Sequence, residues 1–296
     1  MRKYVFLAVV VTVIYFFQSF FLPTGGIGAD SLSYFGIASD LPQLKTNLFP
    51  LGFPVLIEIF HFMFQDYFWA GKVLNISMVT MILLFSYVKK FYFRETVLLF
   101  AGKTFFFAFN LVISEGLFLF LLYFLFYLFY ERFQDKISSR HFVFYASAIL
   151  ILLFTVRYSG IYIYLGTGVF WLWMLLRRRI FAFQKDLLKV LVVSGAGIIA
   201  YLSFNYFVYG SFTGEHLRGA PARIYPVYVV RNILAMVNII DPFIGIKPAS
   251  NSFVSIAFQV GLMLIDLLLL RYFVKLVMRK KHDLQMEFHY LLWIIA

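Results

Sequence analysis

Cysteine is missing altogether, and acids are scarce: 14 Asp and Glu among 296 residues, against 26 Lys and Arg. No disulfide framework, thiolate nucleophile or Cys-ligated metal is open to this chain. Charge of either sign is thin, at 14% of residues, while 62% are hydrophobic. A soluble domain of this length has too much surface to cover with so few polar groups. Also lacking are the period-2 alternation of half-buried strands, any repeat of roughly 20 to 50 residues, and low-complexity linkers.

What the sequence does have is apolar runs of membrane-spanning length, which predict an all-α polytopic membrane protein. Spans are expected near 4–22, 67–88, 96–111, 115–130, 142–157, 160–176, 187–208 and 252–270. Residues 96–130 and 142–176 are short for two crossings at about 20 residues each, so those hairpins are expected to be tilted or thinly embedded. The first run follows Arg2-Lys3 like a signal peptide, but Pro23-Thr24-Gly25 succeeds it with no small-x-small cleavage site, which predicts a retained first helix. A ninth apolar stretch opens at Phe288 and stops at Ala296, too short to cross. The expectation is one transmembrane domain over 1–296, with about eight or nine transmembrane helices, forming part of a longer protein.

The distribution of the +12 net charge sets the topology. Basic residues cluster at Lys89-Lys90 with Arg94, at Arg132, Lys136 and Arg140, at Arg177-Arg178-Arg179 with Lys185 and Lys189, and from Arg271 to Lys281. The positive-inside rule puts all of these in the cytoplasm, with each intervening stretch an outward hairpin. The charge is then a topology signal with some affinity for anionic lipid, and nucleic acid is not an expected partner. The substantial outer loops are 23–66 and 209–251. Short loops and the lack of a retention signal suggest a bacterial inner membrane with a cytoplasmic N-terminus.

Few acids make their placement informative. Asp30, Asp40, Glu58, Asp66, Glu115, Glu215 and Asp241 fall on the expected outer side. Glu95, Glu131, Asp135, Asp186, Asp283 and Glu287 fall beside the basic clusters, where solvation is a sufficient role, and Asp266 falls inside the eighth span. The first outer loop predicts two short surface helices, one over 30–40 and one after Phe49-Pro50-Leu51-Gly52-Phe53-Pro54 through about Phe64. Asp30 stands at the start of the first, where a carboxylate also serves as a plain helix cap. Asp40 stands at its end. Glu115 and Arg157 sit where the third span turns into the fourth and the fifth into the sixth. Ionisable groups there face a cavity, a partner or a pathway, or else snorkel to the interface. Snorkelling or local pairing is the expectation for Lys72 and Lys103.

Loop 209–251 carries Glu215, His216, Arg218, Arg223, Arg231 and Lys247 among tyrosines, glycines and prolines. Arginines on a face that is normally poor in charge fit a phosphate group near the outer leaflet, or pairing with acids and lipid head groups. His216 has no second histidine at metal-ligand spacing.

Gly28-Ala29-Asp30-Ser31-x-x-Tyr34, then Phe49-Pro50-Leu51-Gly52-Phe53-Pro54, resembles the first outer loop of GT-C-fold membrane glycosyltransferases. The polyprenyl-phosphate-sugar-dependent branch, with protein mannosyltransferases and the lipid A aminoarabinose transferase, is the most similar. Ser114-Glu115-Gly116 and Arg157-Tyr-Ser-Gly160 resemble motifs that follow in the same order. The likeness covers roughly residues 1 to 270, and the chain departs from the pattern where Ser31 follows Asp30 in place of a second acid.

The resemblance implies transfer of a sugar from a polyprenyl-phosphate donor to a lipid, glycan or protein acceptor on the outer face. Asp30 is then the general base and the reaction inverts the anomeric carbon. Arg157, Arg218, Arg223 and Arg231 become candidates for the donor phosphate. Glu115 would orient the acceptor or help hold a divalent ion, which the chemistry permits without requiring. Tyr34, Asp40 and His216 complete the candidate substrate-binding set. Two other classes stay open: a transporter or flippase of a lipid-linked or amphipathic anion, and a non-catalytic membrane scaffold. Charges crowded at the outer face, rather than at mid-bilayer in an inverted repeat, weigh against transport.

Overall fold

The structure, a computed structural model, describes residues 2–18, 25–176 and 181–218, and isolated positions between 257 and 275. Ten α-helices and one 3-10 turn make up the described residues, with no strand among them. In order these are α1 (Arg2–Phe16), α2 (Ala29–Asp40), α3 (Gly52–Phe64), α4 (Tyr67–Lys89), α5 (Phe93–Phe100), α6 (Lys103–Asn110), α7 (Ser114–Phe133), α8 (Ser139–Val156), α9 (Gly160–Leu176) and α10 (Phe181–Tyr209), then the turn Gly214–Arg218. Tyr67–Lys89, Ser114–Phe133, Ser139–Val156 and Ala182–Tyr209 are long and apolar enough to cross a membrane, and Gly52–Phe64 and Gly160–Leu176 are shorter apolar helices. The protein is thus an all-helical integral membrane protein by helix length and composition.

The two short helices expected in the first loop form as α2 and α3, ahead of the long α4. The crossing expected over 96–111 is instead two eight-residue helices, α5 and α6. The break falls at Gly102, a poor helix former. Its backbone is extended, at φ −80 and ψ 147, and the helix restarts behind it. The carbonyl of Phe100, which this break would leave unpaired, accepts a 2.9 Å hydrogen bond from the Tyr15 hydroxyl. Helix α1 ends at Phe16, short of the expected Leu22, and residues 19–24 lie outside the described set, as does most of the span expected over 252–270.

Two apolar clusters hold the bundle. One gathers α1 to α6 around Tyr15, Phe53, Ile57, Met78, Ile82 and Phe100. The other gathers α7 to α10 around Phe129, Phe142, Leu150, Phe170 and Leu187. Helix α7 contributes to both, through Leu117 on one side and Leu125 on the other. Helices α8 and α10 approach so closely that a Cβ on Gly197 would lie 2.3 Å from Cδ1 of Ile151. Such contacts are how helices associate where lipid supplies no hydrophobic drive.

Ion pairs among the described residues lie at the two ends of this bundle. At the end where α7 finishes, Arg132 donates from Nε and Nη2 to Oδ2 of Asp186, at 3.1 and 3.0 Å, and Ser139 donates to Oδ1. The two ionised side chains are only 11% and 6% exposed. Asp186 therefore does more than solvate a loop, the role expected for it: it ties α7, α8 and α10 together. At the end where α7 begins lie Asp30, Tyr34, Glu115 and Arg157.

Candidate functional site at the start of α7

Four segments meet at this end, and each arrives for a local reason. The strap Gly25 to Gly28 delivers α2. Its Gly26 has φ +87, and a Cβ there would lie 2.3 Å from both Nζ of Lys72 and the carbonyl oxygen of Asn110, so only glycine fits. Gly26 accepts from the amide of Val112 at 3.0 Å, which pins the strap to the α6–α7 link. Lys72 is 1% exposed and donates to the carbonyl of Asn110 at 2.7 Å, so it braces the strap from beneath instead of snorkelling. Asn75 supports the same link through Leu111.

Asp30 lies in the first turn of α2 and is exposed. It does not cap the helix. Ser31 does that work, its Oγ accepting from the amide of Gly28 at 3.0 Å. Four other acids at this end are engaged: Asp40 by Lys45 at 2.6 Å, Glu58 by the Tyr67 hydroxyl at 3.0 Å, Asp66 as the N-cap accepting from Trp69 at 2.9 Å, and Glu115 by Arg157. Asp30 alone of these has no hydrogen bond or ion pair among the described residues.

One helical turn along α2, Tyr34 points into the bundle, 3% exposed. Its ring packs against Phe49 and Phe53, with centroids 4.6 and 5.0 Å away. Its hydroxyl lies 2.8 Å from Oγ of Ser114, the first residue of α7. Burial pushes the phenol up to about 12; the Ser114 bond opposes that rise, Glu115 adds to it, Arg157 opposes it, and Asp30 adds to it. All three charges therefore act on the one hydroxyl.

Arg157 closes the arrangement from α8. Its backbone has left the helix, at φ −147 and ψ 133, while its amide still donates to Leu153 at 3.0 Å. The guanidinium forms an ion pair with Glu115 and reaches Oγ of Ser114 at 3.5 Å. Both members of the pair stay open, with side chains 34% and 38% exposed. Beside them runs a cleft of about 370 Å³, lined by apolar side chains from α3, α7 and α8 and by Tyr201 of α10. Leu117, Thr155 and Val156 in its wall stand within two residues of Glu115 and Arg157.

The two large loops also meet. Tyr158 donates to the carbonyl of Asn47 at 3.1 Å, Asn47 donates to Ser211 at 3.0 and 3.1 Å, and Asn205 donates to Tyr158 and to Phe212. Gly214 then sits against Asn47 and Leu48, opening the turn that contains the exposed His216 and the backbone of Arg218. Asp40, bonded to Lys45, stands at the far end of α2 from Asp30. Arg223 and Arg231 lie outside the described residues.

Of the expected site residues, the fold gathers Asp30, Tyr34, Glu115 and Arg157. Ser114, whose Oγ meets both Tyr34 and Arg157, and the network around Asn47 were not marked as site residues by the sequence. Among the described residues no three of His, Cys, Asp and Glu assemble as metal ligands. Glu115 is paired with the Arg157 guanidinium. Comparison with family models, curated proteins and solved structures finds no match to this chain.

Proposed function

We propose that the protein is a GT-C-type glycosyltransferase of a bacterial inner membrane, with its active site on the outer face at the start of α7. The donor is a polyprenyl-phosphate sugar, and the acceptor is a hydroxyl or amine on a lipid, glycan or protein. One observation carries this reading: a partly exposed guanidinium, a carboxylate with no partner among the described residues and an apolar cleft share one end of the bundle. A lipid-linked sugar phosphate needs all three.

The chemistry follows from those groups. The isoprenoid tail lies in the cleft and the phosphate lies at Arg157, with Arg218, Arg223 and Arg231 of the second large loop as further phosphate ligands. An acceptor hydroxyl attacks the anomeric carbon as Asp30 takes its proton, and the bond from that carbon to the phosphate oxygen breaks. Phosphate is a good leaving group, so cationic stabilisation matters more than a general acid. Attack opposite the leaving group inverts the centre. Tyr34 supports Ser114 and, through it, Arg157, while His216 and Asp40 are kept as candidates for more distant contacts with the substrates. Clustering of basic residues at the opposite end fits a cytoplasmic placement for Lys89, Arg94 and Arg132.

The alternative, transport of an amphipathic anion, calls for ionisable groups along a path through the bundle. The ion pairs among the described residues sit at its two ends. Native mass spectrometry of protein extracted in mild detergent separates the readings. A polyprenyl-phosphate sugar retained by the wild type and lost from Arg157→Ala is the expected result. Ordinary phospholipid alone, even after polyprenyl-phosphate sugars are added, would overturn the proposal.

A further inference from the structure

The ion pair that makes Arg157 attractive as a phosphate ligand also stands in the way of that role. Glu115 occupies the guanidinium, and a phosphate arriving at the same fork meets a carboxylate already in place. We infer that the pair is an exchange latch: the phosphate of the incoming ligand displaces Glu115 from Arg157, and the released carboxylate turns to the acceptor side. This inference rests on the phosphate-binding reading of the site.

Three features make the exchange favourable. A pair in which both side chains are about a third exposed is weak, because solvent screens it. A phosphate offers more oxygens and more charge to a bidentate guanidinium than a carboxylate does. Glu115 also keeps a favourable position after release, because it lies in the first turn of α7, where the helix dipole stabilises an anion. Arg157 stays in place meanwhile: its backbone amide donates a hydrogen bond to the carbonyl of Leu153, and its guanidinium reaches Oγ of Ser114 at 3.5 Å. Ser114 in turn is fixed by the Tyr34 hydroxyl. The latch therefore moves one side chain and leaves the frame in place. Donor binding precedes acceptor binding as a result, since Glu115 is free to orient an acceptor only once phosphate has taken its partner.

The test is equilibrium binding of farnesyl phosphate, farnesol and inorganic phosphate to the full chain in one detergent, for the wild type, Glu115→Gln and Arg157→Ala. Removing the competing carboxylate should tighten farnesyl phosphate roughly threefold to fivefold, the worth of an exposed pair, and leave farnesol unchanged. Arg157→Ala should sharply reduce the preference for the phosphate over the alcohol. Should Glu115→Gln fail to fold, Glu115→Asp, which withdraws the carboxylate by one methylene, should move the same way by a smaller factor. Equal or weaker binding of farnesyl phosphate by the Glu115 variant, with the wild type still preferring phosphate over alcohol, overturns the latch alone. If no protein prefers the phosphate, the lipid-phosphate reading fails and the latch fails with it. Inorganic phosphate that displaces farnesyl phosphate at equal concentration keeps the exchange but assigns it to free phosphate, against the proposed function.

Discussion

The hydroxyls of Tyr34 and Ser114 lie 2.8 Å apart and join α2 to the first turn of α7 across 80 positions of sequence. Because Ser114 also meets Arg157, this bond couples the helix that carries Asp30 to the guanidinium of the candidate site. Both hydroxyls are buried, so neither finds water when the other is removed.

Tyr34→Phe should accordingly cost about 1–2 kcal/mol, read as a lower unfolding midpoint in detergent. The cost should depend on pH. The folded phenol is raised from 10 to about 12, chiefly by burial, so the stability linked to its proton is complete below pH 10 and is lost as pH climbs through 12. The gap between wild type and variant should shrink across that window. A gap that stays constant from pH 9 to 11.5 would show that the phenol is not held neutral by burial.

Gly26→Ala tests the strap that delivers α2. The added Cβ meets both Lys72 Nζ and the Asn110 carbonyl at 2.3 Å, and φ +87 disfavours any side chain. The ammonium can swing aside, but the carbonyl ends a helix and cannot. A loss of about 1–3 kcal/mol is expected, with retained donor binding falling in step as α2 shifts. An unchanged midpoint would mean that the strap moves freely and does not position Asp30.

At the opposite end, Arg132→Ala should be among the most damaging single changes, at about 3–5 kcal/mol, because it leaves the Asp186 carboxylate buried without its partner. The double variant Arg132→Met/Asp186→Leu should recover much of that loss, since no unpaired charge is left. Unfolding midpoints of the single and double variants check this directly. A double variant worse than the single one would assign the damage to lost packing rather than to charge.

Legibility followed length and periodicity. The apolar runs behind α4, α7, α8, α9 and α10 were each bounded by charges or turn residues, and the short helices α2 and α3 were marked by Asp30 and the Phe49 to Pro54 turn. The break at Gly102 was hidden because apolar residues continue on both sides of it, and what makes it tolerable is the Tyr15 hydroxyl, 85 positions before the Phe100 carbonyl it bonds. Lys72 resembled any lysine near a helix end, and its burial depends on the Gly26 strap folding over it. Glu115 and Arg157 stood out one by one as charges at helix ends, but sequence distance carries nothing about pairing. Ser114 was illegible for a plainer reason: a serine at a helix start is ordinary, and its worth lies in which two side chains converge on it.

Asp30→Asn is the sharpest test of the chemistry because the structure separates its effect on function from its effect on folding. The carboxylate is exposed and makes no hydrogen bond or ion pair among the described residues, and the capping bond at this helix start belongs to Ser31. Losing the charge removes a favourable interaction with the α2 dipole, about 0.3–1 kcal/mol, so the unfolding midpoint should scarcely move. Donor binding should also persist, since Arg157 and the cleft are untouched. Transfer should fall by roughly a hundredfold to ten-thousandfold, the range general-base catalysis supplies, because the amide cannot take the acceptor's proton. Measured together, an unmoved midpoint, retained polyprenyl-phosphate sugar and lost transfer would assign the base to Asp30. Transfer near the wild-type rate in a folded, donor-bound variant would remove Asp30 from the mechanism and leave Glu115, once displaced from Arg157, as the remaining carboxylate placed to do the work.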